Sequence, residues 1–207
     1  MRCLMCGKKI EEQGFSGLFY QEDLLCGECR GEWQKDGTYH SFGDFRVYTS
    51  YIYNDAFSSC LLQFKECGDE ALMDVFLYKI KNELRKKYHG YTWLLMPSTA
   101  ENEERRGFHH LKEMFGSLHM PVMEPFEKDS DEIQKKLSYE ERQKMSSRIR
   151  LKKNIRIPPK VVLADDIVTT GATMRGARNA LAGRKIKIAY YAVAYVEKKQ
   201  AFLNRGD

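Results

Sequence analysis

A chain of 207 residues and 24.2 kDa holds one medium α/β domain, or one such domain with a small appendage, and excludes a large multidomain machine. With 43% hydrophobic and 30% charged residues it has the composition of a folded globular chain, not a disordered or collagen-like one. No apolar run reaches the roughly eighteen residues of a membrane span, and the opening MRCLMCGKKI lacks the apolar stretch of a signal peptide, so a cytoplasmic protein without membrane insertion is expected.

Four of the six cysteines lie in the first forty residues, as Cys3-Leu-Met-Cys6 and Cys26-Gly-Glu-Cys29 with nineteen residues between the pairs. Each Cys-x-x-Cys knuckle offers two thiolates to two corners of a tetrahedron, and two knuckles complete it around zinc. Two disulfides or four unrelated thiols are the alternatives; the expected compartment disfavours the first and the paired spacing the second. Four sulfur ligands leave no open position for water, which makes the metal structural. A short hairpin turning near Glu22 and Asp23 is expected between the pairs, giving a zinc ribbon. Cys60 reads as a small core residue and Cys67 as an exposed one.

Further along, residues 34–41 read as a polar linker. Phe45, Val47, Thr49, Tyr51 and Tyr53 alternate with other residues and predict a strand over 44–53. Asn54 or Asp55 caps a helix to Phe64, and a polar break over 65–69 separates it from a second helix carrying Leu72, Met73, Phe76, Leu77, Ile80 and Leu84. Residues 92–96 form a buried parallel strand stopped by Pro97. Arg105, Arg106 and Gly107 fall in a polar loop before a helix over 108–115, and Val122 lies in another strand. The stretch 127–159 is long and polar, with a helix expected over 137–149. Strand 161–164, helix 173–182 closed by Gly183, and strand 186–196 complete the chain.

The most specific segment is Val161-Val-Leu-Ala-Asp165-Asp166-Ile-Val-Thr169-Thr170-Gly171-Ala172-Thr173. An apolar strand ends in two adjacent carboxylates, followed by a loop of small and hydroxylated residues and then a helix. Paired acids at the carboxyl end of a parallel strand can hold two ribose hydroxyls, while loop amides, hydroxyls and a helix N-terminus cradle a phosphate. A ribose 5-phosphate fits. A strand-turn-helix with one capping Thr explains only part of this pattern. The spacing of Gly171 and Gly176 mimics a P-loop, but Ala177 and Arg178 stand where Lys and Ser or Thr are required, so the chain is not an ATPase by itself.

Residues 161–173 resemble the phosphoribosyl pyrophosphate (PRPP) loop of type I phosphoribosyltransferases. Joined to the four-cysteine module, they make the chain similar to the ComF family of competence proteins, also called GntX-like. Other pieces stand in the family's order: Tyr53 before the helix ending Phe64-Lys65-x-x-Gly68-Asp69, Pro97 after a strand, Arg106-Gly107-Phe108, and Gln134-x-x-Leu137-x-x-x-Glu141-Arg142. Two positions depart from it. The family usually has Asn after Arg-Gly-Phe, where this chain has His109, and Asn three residues after the later arginine, where it has Met145. His109 reads as a surface or capping residue.

The resemblance implies a type I phosphoribosyltransferase-like parallel sheet flanked by helices over 41–207, preceded by a zinc ribbon over 1–40. It implies that Asp165 and Asp166 hold the ribose hydroxyls, directly or through Mg2+, and that Thr169, Thr170, Gly171, Ala172 and Thr173 hold the 5-phosphate. Pro97, Ser98 and Thr99 correspond to the pyrophosphate loop. Arg105 or Arg106 supplies a cation to the diphosphate, with Arg106 grouped with the two acids as catalytic and Lys65 as a weaker candidate.

The resemblance leaves two function classes. One is a protein of DNA uptake and natural transformation that binds PRPP and partners single-stranded DNA or a helicase-like competence ATPase. The other is an active phosphoribosyltransferase with an unknown nitrogen acceptor, for which the eleven residues after Val196 are too few to build an elaborate hood. Residues 142–160 carry eight basic side chains and no acidic one, whereas the whole chain is only +5. Such a run is ordinarily a solvated face, but it abuts the phosphate-binding segment, so Arg148, Arg150, Lys152 and Lys153 are the nucleic-acid candidates. A sequence-specific zinc-finger regulator fits poorly, because no base-reading helix follows the cysteines.

Overall fold

A computed structural model describes residues 1–10, 23–128 and 149–197. The fold is mixed α/β, with a mostly parallel six-stranded sheet flanked by helices. The Glu22 side of the expected hairpin, the helix expected over 137–149 apart from Ile149, and Gln134, Leu137, Glu141, Arg142, Met145 and Arg148 lie outside the described residues.

After a short helix α1 (Gly27–Gly31), strand β1 (Lys35–Ser41) forms where a linker was expected. It pairs antiparallel with β2 (Arg46–Ile52) and leaves only that one edge of the sheet antiparallel. Its sequence is polar because most of it is exposed at the sheet edge, so the composition of a linker and that of an edge strand coincide here. Trp33 ties the N-terminal segment into the main core through edge contacts with Tyr51 and Phe57, at ring distances of 5.2 and 4.8 Å.

Helix α2 (Asp55–Glu66) starts where expected, because the Asn54 side chain accepts from the Phe57 amide at 3.0 Å. The second expected helix is broken. A 3-10 turn (Glu70–Leu72) and a run of turns over 73–80 precede the shorter α3 (Lys81–Lys87), while the apolar stripe Leu72, Phe76, Leu77, Ile80 and Leu84 is buried as its periodicity required.

The remaining elements are β3 (Thr92–Leu95), α4 (Ala100–Arg106), α5 (His110–Gly116), β4 (Val122–Met123), β5 (Phe126–Lys128), β6 (Ile149–Leu151), β7 (Lys160–Val168), α6 (Ala172–Ala180) and β8 (Lys187–Tyr195). Arg105 and Arg106 thus end a helix capped by Thr99, not a loop, and Gly107 at φ 79° supplies the left-handed turn into the next one. Ile149, expected at the end of a helix, lies in a strand of a separate antiparallel pair, β5 with β6.

The sheet order β1-β2-β8-β7-β3-β4 places β7 at the centre. From β3 the chain passes to β4 on one side, and β7 then lies on the other side of β3. This is a topological switch point, where the connections leaving two adjacent parallel strands diverge and open a crevice at their carboxyl ends. Register completes the placement: Leu95 pairs with Ala164, so residues 97–99 leave the sheet beside Asp165 and Asp166.

Candidate binding crevice and cysteine cluster

Asp165 and Asp166 are the sixth and seventh residues of the nine in β7, with the chain still extended through Val168. Asp166 is buried, and its Oδ2 accepts from Lys65 Nζ at 2.6 Å and lies 3.3 Å from His110 Nε2. Its other oxygen accepts from the Ile167 amide at 2.8 Å. Burial pushes the Asp166 carboxyl up, but the Lys65 ammonium and His110 outweigh it and hold it well below the ordinary range. Among the described residues no cation is paired with Asp165: burial, and then the charge of Asp166, raise it well above that range, with Lys65 only partly opposing. The two acids are thus pushed in opposite directions, Asp166 toward its anionic form and Asp165 away from it.

Behind Asp166 the network continues. Arg106 Nη1 lies 3.4 Å from His110 Nδ1, so a donating guanidinium fixes the imidazole as the Nε2–H tautomer that donates to Asp166. Burial lowers the His110 pKa, with Asp166 opposing. Arg106 Nη2 in turn donates to Glu66 Oε1 at 2.8 Å, and Arg105 bonds the other Glu66 oxygen. The two guanidiniums lower the Glu66 pKa, Arg105 foremost.

The threonine loop follows directly. Thr169 and Thr170 are exposed, and Gly171 at φ 69° N-caps α6. Thr170 Oγ1 accepts from the Ala172 amide at 3.4 Å. A Cβ on Gly171 would stand 3.0 Å from the Phe42 ring, so glycine is required both for the backbone and for the space. Phe42 comes from the β1–β2 turn, which is also tied to α6 by Arg178 and Asp44 at 2.6 Å. The first hairpin of the sheet thereby braces the loop after its central strand.

Among the candidates read from sequence, Asp165, Asp166, Pro97, Ser98 and Thr99 converge by sheet register, and Thr169, Thr170, Gly171, Ala172 and Thr173 follow in the chain. Lys65 joins them through an ion pair with Asp166, and Arg106 through His110. Arg105 points to Glu66. Lys152 and Lys153 follow β6, which lies against α6, with the Lys152 amide donating to Pro125 O at 2.8 Å. Arg150 lies within β6. Sequence reasoning stopped at His109, which caps α5 by accepting from the Lys112 amide, and missed His110 and Glu66. His110 immediately follows the residue that was considered, yet only the tertiary structure brings it to Asp166.

At the amino terminus the sulfurs of Cys3, Cys6, Cys26 and Cys29 lie within 4.8 Å of one another and could hold a metal ion. The Cys6 and Cys26 sulfurs are 3.7 Å apart, near the roughly 3.8 Å edge of a tetrahedron with Zn–S of about 2.3 Å. Gly7, at φ 71°, turns the first knuckle so that its amide donates to Cys3 O at 2.9 Å. Cys26 N-caps α1. Cys60 is buried and Cys67 exposed, apart from this cluster.

Fold and site together define an α/β protein with an acid pair at a parallel-sheet switch point and a clustered four-cysteine module. No family model matches the chain. It is 25% identical over 206 residues to Competence protein ComFC of Streptococcus pneumoniae (strain ATCC BAA-255 / R6), covering 87% of this chain and 93% of that protein. It is 30% identical over 133 residues to Competence protein ComFC of Bacillus subtilis (strain 168), covering 63% of this chain and 55% of that longer protein. These relatives support a ComF family competence protein. Among the described residues, no helix is long and apolar enough to cross a membrane.

Proposed function

We propose that the protein acts in DNA uptake and binds PRPP with Mg2+ in the crevice between β3 and β7. The observation that carries this reading is the acid pair followed within five residues by the Thr169–Gly171 loop at the carboxyl end of the central strand. Asp165 and Asp166 take the ribose hydroxyls, Thr169, Thr170, Gly171, Ala172 and Thr173 the 5-phosphate, and Pro97, Ser98, Thr99, Arg105 and Arg106 the diphosphate side. Hard oxygen donors suit Mg2+, which neutralises diphosphate charge when bound. The four cysteines hold one structural Zn2+.

Calorimetry with PRPP and Mg2+ on the zinc-loaded chain tests this. Binding to the wild type and its loss in Asp165→Asn/Asp166→Asn is expected; no binding, or equal binding by the double variant, overturns the site. On this reading Arg150, Lys152 and Lys153, with Arg148, contact single-stranded DNA. Each lost contact then flattens the log affinity against log salt slope by about 0.7. The second reading, transfer of phosphoribose to a nitrogen acceptor, is supported by the Arg106–His110–Asp166 network, in which a guanidinium, an imidazole and a carboxylate share one set of polar contacts. Release of pyrophosphate from PRPP with a panel of bases and amines checks it.

A further inference from the structure

We propose that Arg105 and Arg106 form a diphosphate-binding fork whose resting occupant is the Glu66 carboxylate, which the ligand displaces. This rests on the PRPP reading above and names the residue that competes with the ligand's diphosphate.

The argument starts from how two arginines of this chain use their guanidinium edges. Arg30 grips Asp23 with both atoms of one edge, Nε to Oδ2 at 2.8 Å and Nη2 to Oδ1 at 2.7 Å. Its remaining face lies over the Trp33 ring, 4.6 Å from the centroid. That is a completed bidentate pair. Arg106 uses the same edge only by half: Nη2 donates to Glu66, while its buried Nε finds no acceptor among the described residues. Yet the Arg106 side chain is only 9% exposed, so this donor is not left to bulk water. Glu66 does not complete the edge: its second oxygen is turned to Arg105 and makes no bond to Arg106 Nε.

A diphosphate removes the conflict. It carries more oxygens and more charge than a carboxylate, so it can fill the Nε and Nη2 edge of Arg106 and still reach Arg105. Glu66 is also easy to displace. It is the last residue of α2, where the helix dipole disfavours an anion, and its side chain is one-third exposed, so the freed carboxylate returns to water. Lys65 beside it stays on Asp166. If the contact were only a tie between α2 and α4, removing its charge would loosen the fold and leave anion affinity unchanged.

The test uses the full zinc-loaded chain and calorimetry with inorganic pyrophosphate, and separately with ribose 5-phosphate, each with Mg2+. Glu66→Gln is expected to bind pyrophosphate roughly tenfold tighter than the wild type, with ribose 5-phosphate affinity unchanged. Arg105→Gln, at an exposed side chain, is expected to weaken pyrophosphate about tenfold. Glu66→Asp, too short to span both guanidiniums, gives a smaller tightening and serves if the Gln variant folds poorly. Equal or weaker pyrophosphate binding by both Glu66 variants overturns the proposal, as does a wild type and Glu66→Gln that both fail to bind pyrophosphate. The two readings fail separately. Tightening of pyrophosphate without any binding of PRPP or ribose 5-phosphate supports the fork and removes the PRPP site; PRPP binding without tightening does the reverse.

Discussion

The cysteine cluster and the β7 crevice concentrate reactive groups in opposite ways. At the cysteines four sulfur donors converge within 4.8 Å, and the nearby Lys8 is already paired with Glu28. Such a set is completed only by a cation from outside. In the crevice nearly every charge is answered by a neighbour: Lys65 by Asp166, Asp166 also by His110, and Arg105 and Arg106 by Glu66. The first region could hold a metal ion, whereas the second already pairs most of its charges within the protein. Among the described residues of the crevice, Asp165, raised by burial and by Asp166, and Arg106 Nε are left unbalanced.

The strongest break of this comparison is at the metal. One zinc per chain is expected by metal analysis, and Cys26→Ser should lose it together with the packing of Trp33, read by its fluorescence. Small four-sulfur sites contribute apparent binding free energies of about 10 kcal/mol or more, so this is the largest effect expected. A Cys26→Ser chain with full metal content and unchanged fluorescence would remove the contrast.

Within the crevice the two acids should respond with opposite sign. Asp166→Asn leaves Lys65 and His110 without their shared anion and should cost about 3 kcal/mol in denaturant unfolding, as when one partner of a buried pair is removed. Asp165→Asn removes a group that burial and Asp166 keep from ionising, and should stabilise the chain at neutral pH. Equal destabilisation by both would mean that the acids share one environment.

A pH series sharpens the role of His110. Its folded pKa is lowered, chiefly by burial, so near pH 6.5 and below the unfolded chain binds the proton that the folded one refuses. The contribution is present above the unfolded value and is lost as pH falls through the folded value, with a slope of at most about 1.4 kcal/mol per pH unit. His110→Gln should abolish that part of the slope. An unchanged slope would show that other groups carry it.

The smallest effect is expected at the brace. Gly171→Ala meets both the positive φ and the Phe42 ring, and should cost roughly 1 kcal/mol or somewhat more in thermal unfolding. Phe42→Leu should relieve part of that loss in the double variant; if it relieves none, the ring is not what excludes the side chain.

Much of this architecture was legible in the sequence because it depends on local pattern. Alternation revealed β2, the Asn54 cap marked the start of α2, and the apolar run ending in Asp165 and Asp166 marked β7. Local pattern also misled where one composition suits two structures: a polar stretch became edge strand β1, and the stripe over 72–84 was buried through turns as well as helix. Burial of a stripe constrains which side chains face the core more tightly than it constrains the backbone that carries them.

By itself the sequence determined which chemistry is present: four thiols in two knuckles, two acids and a threonine loop after an apolar strand, and cations after β3. Tertiary structure decided which of these groups meet. Lys65 reaches Asp166 across 101 residues and Arg105 reaches Glu66 across 39, contacts that no local spacing encodes. Both follow from parallel register and from the turn at Gly107, which set α2, α4 and α5 around the end of β7. Side-chain type is a property of each position, whereas the charge state and partner of a buried side chain are properties of what the fold packs against it.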